Sequence, residues 1–257
     1  MIFHVSVMLD ELEARLEPAA RARFCPEVRM NDARHLMNFP NGDVDRMRRL
    51  IEARGLTTFT HGPFLGLDVA SLDDHIAEYS AECLLRGLEV TAGLGGPVMV
   101  MHTNYSPFFS RAGLRVWLGN WGERMRPVVE RAGELGVRIA LENAWEERPE
   151  VLAHLADLVP GGAAAVCLDT GHINAFSRLP VRRWWDALGE RVVALHLHDN
   201  DGLSDDHLPP GEGIFDFRSL VAFLRARPSL PLMTLEVDPA RAERGREYLE
   251  GLFSGGA

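Results

Sequence analysis

The chain has 257 residues, 46% hydrophobic and 25% charged, the ordinary mix of a soluble globular protein with a sizeable core. Its formal net charge of −10 disfavours a broad nucleic-acid or anionic-membrane footprint. Cys25, Cys83 and Cys167 are isolated and odd in number, which reads as reduced thiols and not a disulfide framework. No run approaches the roughly eighteen apolar residues of a membrane span. The opening stretch MIFHVSVMLDELE lacks the basic flank and cleavage site of a secretion signal, so a cytoplasmic location is expected.

Eight short apolar runs follow in order: IFHVSVM (2–8), EVRM (27–30), TTFTHG (57–62), PVMVMHT (97–103), VRIALEN (137–143), AAVCLDT (164–170), VVALHLH (192–198) and LMTLEV (232–237). The second is the shortest and most charged. Between them lie segments of helical periodicity, such as VDRMRRLIEARG (44–55) and LRVWLGNWGERMRPVVERAGELG (114–136), closing on Gly55 and Gly136 as helix ends often do. GLGGP (93–97) precedes a strand and reads as a helix stop. Apolar strands alternating with helices indicate a parallel sheet covered by helices. Eight such units predict an α/β chain forming a single (β/α)8 TIM barrel over residues 1–257. An open doubly wound sheet would usually carry a glycine-rich loop after its first strand, and LDELEARLEP has no glycine.

In a barrel of this kind, chemistry sits at the C-terminal ends of the strands. The third run ends at His61, the fourth at His102 and the fifth at Glu142. The sixth ends at Asp169, with His172 three residues on. The seventh carries His196 and His198, and its loop adds Asp205 and His207 before a Gly211/Gly213 turn. The eighth ends at Glu236. Six consecutive ends therefore supply a carboxylate or an imidazole, the ligand set of Zn²⁺, Mn²⁺ or Fe²⁺. Singly, each has a plainer reading: a hydrogen-bonded histidine, a helix cap at Glu142, an Asx-turn at DTGH. The barrel makes them converge.

His196 and His198 share a face by the two-residue strand period, so one is expected on the metal and the other behind it or on the substrate. His35 is expected in a polar loop, and His75 and His154 on helices, all facing solvent. His4 lies in the first strand, further from the mouth. Trp117 and Trp121, four apart on a helix, are expected to pack. Trp145 lies just past Glu142 over the mouth and is a candidate for stacking on a substrate. There is no G-x-S-x-G elbow and no Walker loop.

Taken in order, HGPF (61–64), ALENAWE (140–146), CLDTGH (167–172), HLHDN (196–200), DDHLPPGEG (205–213) and LEV (235–237) resemble the xylose isomerase-like TIM barrels. That superfamily includes sugar isomerases and epimerases and also apurinic endonuclease IV. The resemblance covers essentially the whole chain. For the ketose 3-epimerases it implies one divalent metal, often Mn²⁺, held by Glu142, Asp169, His196 and Glu236, with His172 near the substrate. For endonuclease IV it implies three zinc ions on nine ligands, His61, His102, Glu142, Asp169, His172, His196, Asp205, His207 and Glu236; His198 stands where that enzyme uses no ligand. The chain departs from the epimerases at Arg148, where they carry a second Glu, and at the Asp205-x-His207 pair, where they carry an arginine.

The expected function is a metal-dependent sugar isomerase or epimerase, using one to three Mn or Zn ions. Glu142 and Glu236 remove and return a substrate proton through a metal-stabilised enediolate. His172, His198 and Arg148 would hold substrate oxygens, and Phe64, Trp145 and Phe176 an apolar wall. The alternative is a multi-zinc phosphodiesterase; a third reading is a barrel keeping a metal for structure. The expected partner is a small sugar-like molecule, not nucleic acid or membrane, with homo-oligomers possible by analogy to relatives.

Overall fold

In the computed structural model, which describes residues 1–159 and 164–255, every apolar run becomes a strand. The strands are His4–Met8 (β1), Cys25–Arg29 (β2), Phe59–His61 (β3), Val98–His102 (β4), Arg138–Glu142 (β5), Ala165–Asp169 (β6), Val192–Leu197 (β7) and Leu232–Leu235 (β8). Each pairs in parallel with the next, and β1 pairs with β8, so the sheet closes into the expected barrel. The helices are Leu12–Arg21 (α1), Ala33–Asn38 (α2), Asn41–Glu52 (α3), Asp74–Leu94 (α4), Arg111–Leu135 (α5), Pro149–Leu158 (α6), Thr170–Phe176 (α7), Val181–Leu188 (α8), Phe217–Arg225 (α9) and Ala242–Phe253 (α10).

Two boundaries moved. The second strand begins at Cys25, two residues before the charged run, and Glu27 lies inside the barrel. His35 is exposed as expected, but on α2 and not in a loop, because Asp32 caps that helix by accepting from the Arg34 and His35 N–H groups. The two glycine stops behave differently. α5 ends at Gly136 with φ +68°, a left-handed cap that glycine adopts without strain. α3 ends at Glu52, before Gly55.

The strand period of two sets the interior in layers. Phe59, Val100, Ala140, Cys167 and Ala194 form a buried apolar cluster inside the barrel. Two residues further along the same strands stand His61, His102, Glu142, Asp169 and His196. A plug of apolar side chains thus lies directly beneath a polar layer. Burial raises the Cys167 thiol, although His196 draws it the other way, so this thiol stays protonated in the plug. A second, larger cluster binds the helices to the outside of the sheet. It includes Trp117 and Trp121, stacked at 5.5 Å, which pack as expected. The Trp117 indole N–H also donates to Asp68 at 3.1 Å.

Candidate metal centre at the barrel mouth

Register brings the strand ends side by side: His102 is the partner of Glu142, and Asp169 of His196. Glu142 is the hub. Its Oε2 lies 3.0 Å from His61 Nε2 and 3.1 Å from His102 Nε2, and its Oε1 lies 2.9 Å from His196 Nδ1. The same His196 nitrogen is 3.0 Å from Glu236 Oε2 and 3.7 Å from Asp169 Oδ2. Glu142, Asp169, His196 and Glu236 are all buried and offer ligand atoms within 4.8 Å of one another. His61, His102 and Glu142 form a second such group. His172, Asp205 and His207 gather beside them, with Asp205 Oδ2 3.4 Å from His172 Nε2 and 3.1 Å from His207 Nε2.

The imidazoles are oriented from behind. His61 Nδ1 lies 2.9 Å from the Gly62 carbonyl, His172 Nδ1 2.8 Å from the Asn143 carbonyl, and His207 Nδ1 2.7 Å from the Glu236 carbonyl. A carbonyl only accepts, so each of these nitrogens donates and the opposite nitrogen is the one turned toward the cluster. His196 uses Glu27 for the same purpose, Nε2 to Oε1 at 2.9 Å. Metal-binding imidazoles are held in this way.

The charges also ask for a cation. Glu27, Glu142, Asp169 and Glu236 are buried together. Arg29 is the guanidinium among them, its Nη1 2.5 Å from Glu236 Oε1. Buried carboxylates cost several kcal/mol each unless balanced. Burial raises the Glu142 carboxyl, but His196 and His102 outweigh it and hold the group well below its usual value. Arg29 and His196 do the same to Glu236 against burial. Conversely, burial opposes protonation of His172 and His207, yet Asp169 and Asp205 raise the first and Asp205 and Glu236 raise the second to about 9. Protons on these rings stand where a divalent ion would supply the charge. Glu236 Oε2 and His198 Nδ1 are buried with no hydrogen-bond partner among the described residues. Donor set, orientation and uncompensated charge all fit divalent metal.

The cluster floors a cavity of about 710 Å³. Phe64, Trp145, Phe176 and Phe108 supply its apolar wall, with Trp145 51% exposed and 4.5 Å from the Phe176 ring. Phe64 stacks on the His102 ring at 4.1 Å. Asp199 folds the following loop over one side. Its carboxylate accepts from the N–H groups of Gly211, Gly213 and Phe215 at 2.9–3.0 Å, and its backbone pairs with Leu208.

Two expected substrate contacts are not there. Arg148 is exposed at the start of α6 and lines a separate depression with Arg178 and Arg183, because the loop after β5 turns outward beyond buried Glu146. His198 is fully buried and cannot reach a substrate. Its Nε2 lies 3.0 Å from Asp169 Oδ2, and its ring occupies the space over Gly171, where an added Cβ would come within 1.9 Å of it. Sequence reasoning missed Glu27, Arg29 and Glu146. Glu27 and Arg29 share one face of β2, and that i, i+2 charged pair in a strand was the available signal. Glu146 accepts from Thr103 Oγ1 and from the Ala144 N–H, and burial raises its carboxyl. Nothing in the sequence marks it.

Fold and site together define a (β/α)8 barrel whose strand ends carry a carboxylate–imidazole cluster. Residues 25–252 match the family model for the xylose isomerase-like TIM barrel, and the chain belongs to that family. It is 25% identical over 235 residues to the protein MJ1311 of Methanocaldococcus jannaschii, covering 88% of this chain and 80% of that one. It is 24% identical over 157 residues to fructoselysine 3-epimerase of Escherichia coli O157:H7, which spans 58% of this chain and 55% of the relative. A crystal structure of a D-tagatose 3-epimerase-like protein superposes with a TM-score of 0.87 at 23% identity, covering 100% of this chain and 98% of the other. The TTHB071 protein of Thermus thermophilus, soaked with ZnCl2, superposes with a TM-score of 0.81 at 27% identity over 100% of both chains.

Proposed function

We propose that the protein is a divalent-metal-dependent isomerase or epimerase of a small sugar or sugar-like polyol, located in the cytoplasm. One observation carries the reading. Two buried glutamates held in the ionised form, Glu142 and Glu236, converge on one imidazole at the floor of a cavity walled by aromatic rings. Proton abstraction beside a carbonyl needs paired carboxylates, and a sugar ring suits an aromatic wall. The sugar epimerases among the similar proteins support the same chemistry.

Glu142, Asp169, His196 and Glu236 would hold the ion. When bound, Mn²⁺ or Zn²⁺ would supply positive charge that polarises a substrate carbonyl and its neighbouring hydroxyl. The chain's own residues do the rest. Arg29 holds Glu236 Oε1 and keeps that carboxylate ionised, ready to accept a C–H proton. Glu142, reached from β5, returns a proton on the other face, and because its own carboxylate is ionised that proton reaches its Oε2 from the His102 imidazole at 3.1 Å. His172 lines the cavity with its Nε2 free of the Asn143 bond and contacts a substrate oxygen. Trp145, Phe64 and Phe176 exclude water from the apolar edge of the substrate.

Incubating the purified protein with candidate ketoses in deuterium oxide tests the reading. Wild-type protein should wash deuterium into a C–H bond next to the carbonyl, and Glu236→Gln should not. Exchange that survives Glu236→Gln removes Glu236 as an acid/base. A second reading, a multi-zinc phosphodiesterase, draws on one feature, the extra His61/His102/Glu142 group beside the four-ligand one. Zinc-dependent cleavage of a phosphodiester without C–H exchange would replace the first reading with the second.

A further inference from the structure

We propose that the substrate is a sugar bearing an apolar aryl group at the end remote from its reacting carbonyl, and that Leu65, Leu67, Tyr105, Pro107 and Phe108 form the subsite for that group. The inference rests on the proposed function and names the substrate class of the same site. The cavity has two unlike sides. Arg29, Asp205, His207 and Glu236 come from the arc of β7, β8, β1 and β2, and carry charge that sugar oxygens and a metal can use. The opposite side comes from the loops after β3, β4 and β5. Its side chains are chiefly apolar: Leu65, Leu67, Tyr105, Pro107, Phe108 and Trp145.

A sugar ring has one small apolar face, which the Trp145 and Phe176 pair takes. Its other surfaces carry hydroxyls, and Leu65, Pro107 and Phe108 have no side-chain group to bond them. Hydroxyls left unpaired against such a wall are unfavourable. At about 710 Å³ the cavity lies in the range of about 300–1,000 Å³ that holds drug-sized ligands, more room than a lone hexose fills. The apolar strip also continues outward. Leu67 is buried at its inner end, while Leu65 and Phe108, 61% and 93% exposed, form its rim. A continuous exposed apolar surface marks a binding site. The rings of Tyr105 and Phe108 suit a flat aromatic group, which stacks on them or meets them edge-on.

The wall is fixed in place. The Asn104 side-chain amide donates to the Leu67 carbonyl and joins the β3 and β4 loops. It does so from a left-handed backbone, φ +59°, which persists outside glycine where neighbours hold it. Thr103 Oγ1 accepts from the Tyr105 N–H at 3.1 Å and donates to buried Glu146, which joins the β4 and β5 loops. Three loops tied to one another need little further ordering when a ligand arrives, and such preorganisation favours affinity.

The test is calorimetric titration of the full-length protein, with Mn²⁺ present, against paired phenyl and methyl β-glycosides of glucose, galactose and xylose. In the pair whose sugar the floor accepts, the phenyl glycoside should bind about tenfold tighter or more. Phe108→Ser and Leu65→Ser should each bring the phenyl affinity most of the way back to the methyl value. Both positions are exposed, so neither change threatens folding. Equal affinity within every pair, absence of binding included, overturns the inference, as does a phenyl preference that survives both substitutions. A rim that pairs two copies of the chain also overturns it, and light scattering would then show a dimer that Phe108→Ser dissociates. Deuterium exchange into unsubstituted ketoses reads the proposed function separately. A protein that exchanges without a phenyl preference loses only this inference, and one that prefers phenyl glycosides but exchanges with no ketose loses the proposed function.

Discussion

The two ends of the barrel hold cavities of similar size and opposite character. The cavity at the start of the strands, about 620 Å³, is lined by Ile2, His4, Ile51, Leu56 and Leu94; the one at their far ends is about 710 Å³. Each end has a buried histidine, and the two are pulled in different directions. Burial lowers His4 to about 4, with Glu27 too weak a counterweight, and the neutral ring rests against the Met233 carbonyl. At the mouth, burial acts in the same sense on His196, yet the Glu27, Glu142 and Glu236 carboxylates overcome it and raise the ring. Volume does not mark the working end. The density of carboxylates around each imidazole does.

Substitutions at the two ends should separate these roles. Glu142→Gln should lower C–H exchange by about 10²–10⁴-fold, the usual contribution of a positioned acid/base, and should also reduce bound metal. Retained exchange would move the chemistry elsewhere. At the other end, Ile51→Ala should cost about 2–5 kcal/mol in denaturant unfolding, as buried truncations do, with metal content and exchange per folded molecule unchanged. Loss of metal there would erase the contrast between the two cavities.

The pH dependence sharpens the same comparison. His207 rises from 6.5 to about 9 in the folded, metal-free chain. A raised folded value contributes stability in full below about 6.5 that is lost as pH climbs toward about 9. Metal needs the ring deprotonated, so the loaded protein should gain stability over the same window. Denaturation midpoints at pH 6 and pH 9, with and without chelator, should therefore slope in opposite directions. Parallel slopes would detach His207 from metal.

Smaller effects follow. Asp199→Ala strands backbone donors in the mouth loop and should cost about 1–3 kcal/mol, with faster proteolysis between residues 201 and 213. Arg148→Ala should change turnover by less than about twofold, within the range of exposed substitutions away from a site. A large loss would return that arginine to the substrate.

The barrel and the convergence of His61, His102, Glu142, Asp169, His196 and Glu236 were legible because they follow from local periodicity and one rule about strand ends. β2 was harder. Its charges look wrong for a buried strand until their partners are known, and Arg29 and Glu27 find theirs 207 and 169 residues away, in Glu236 and His196. For His198 the strand period left two positions open, behind the metal or on the substrate. It shares the face of His196 by the two-residue period, and because β7 stops at Leu197 and the chain turns, its ring goes to Asp169 and His207 and away from the cavity. Arg148 misled because the loop after β5 bends at buried Glu146, which no local pattern announces.

Gly171 and His198 constrain each other's history. Any side chain at 171 collides with the ring, so position 171 is closed to change while His198 remains. Once His198 is lost, 171 becomes free to vary, and the first larger residue gained there bars the imidazole's return. The DTGH and HLHDN turns can thus be altered in one order and not readily restored in the other. Gly171→Ala should be tolerated in a His198→Ala background and damaging in the wild type.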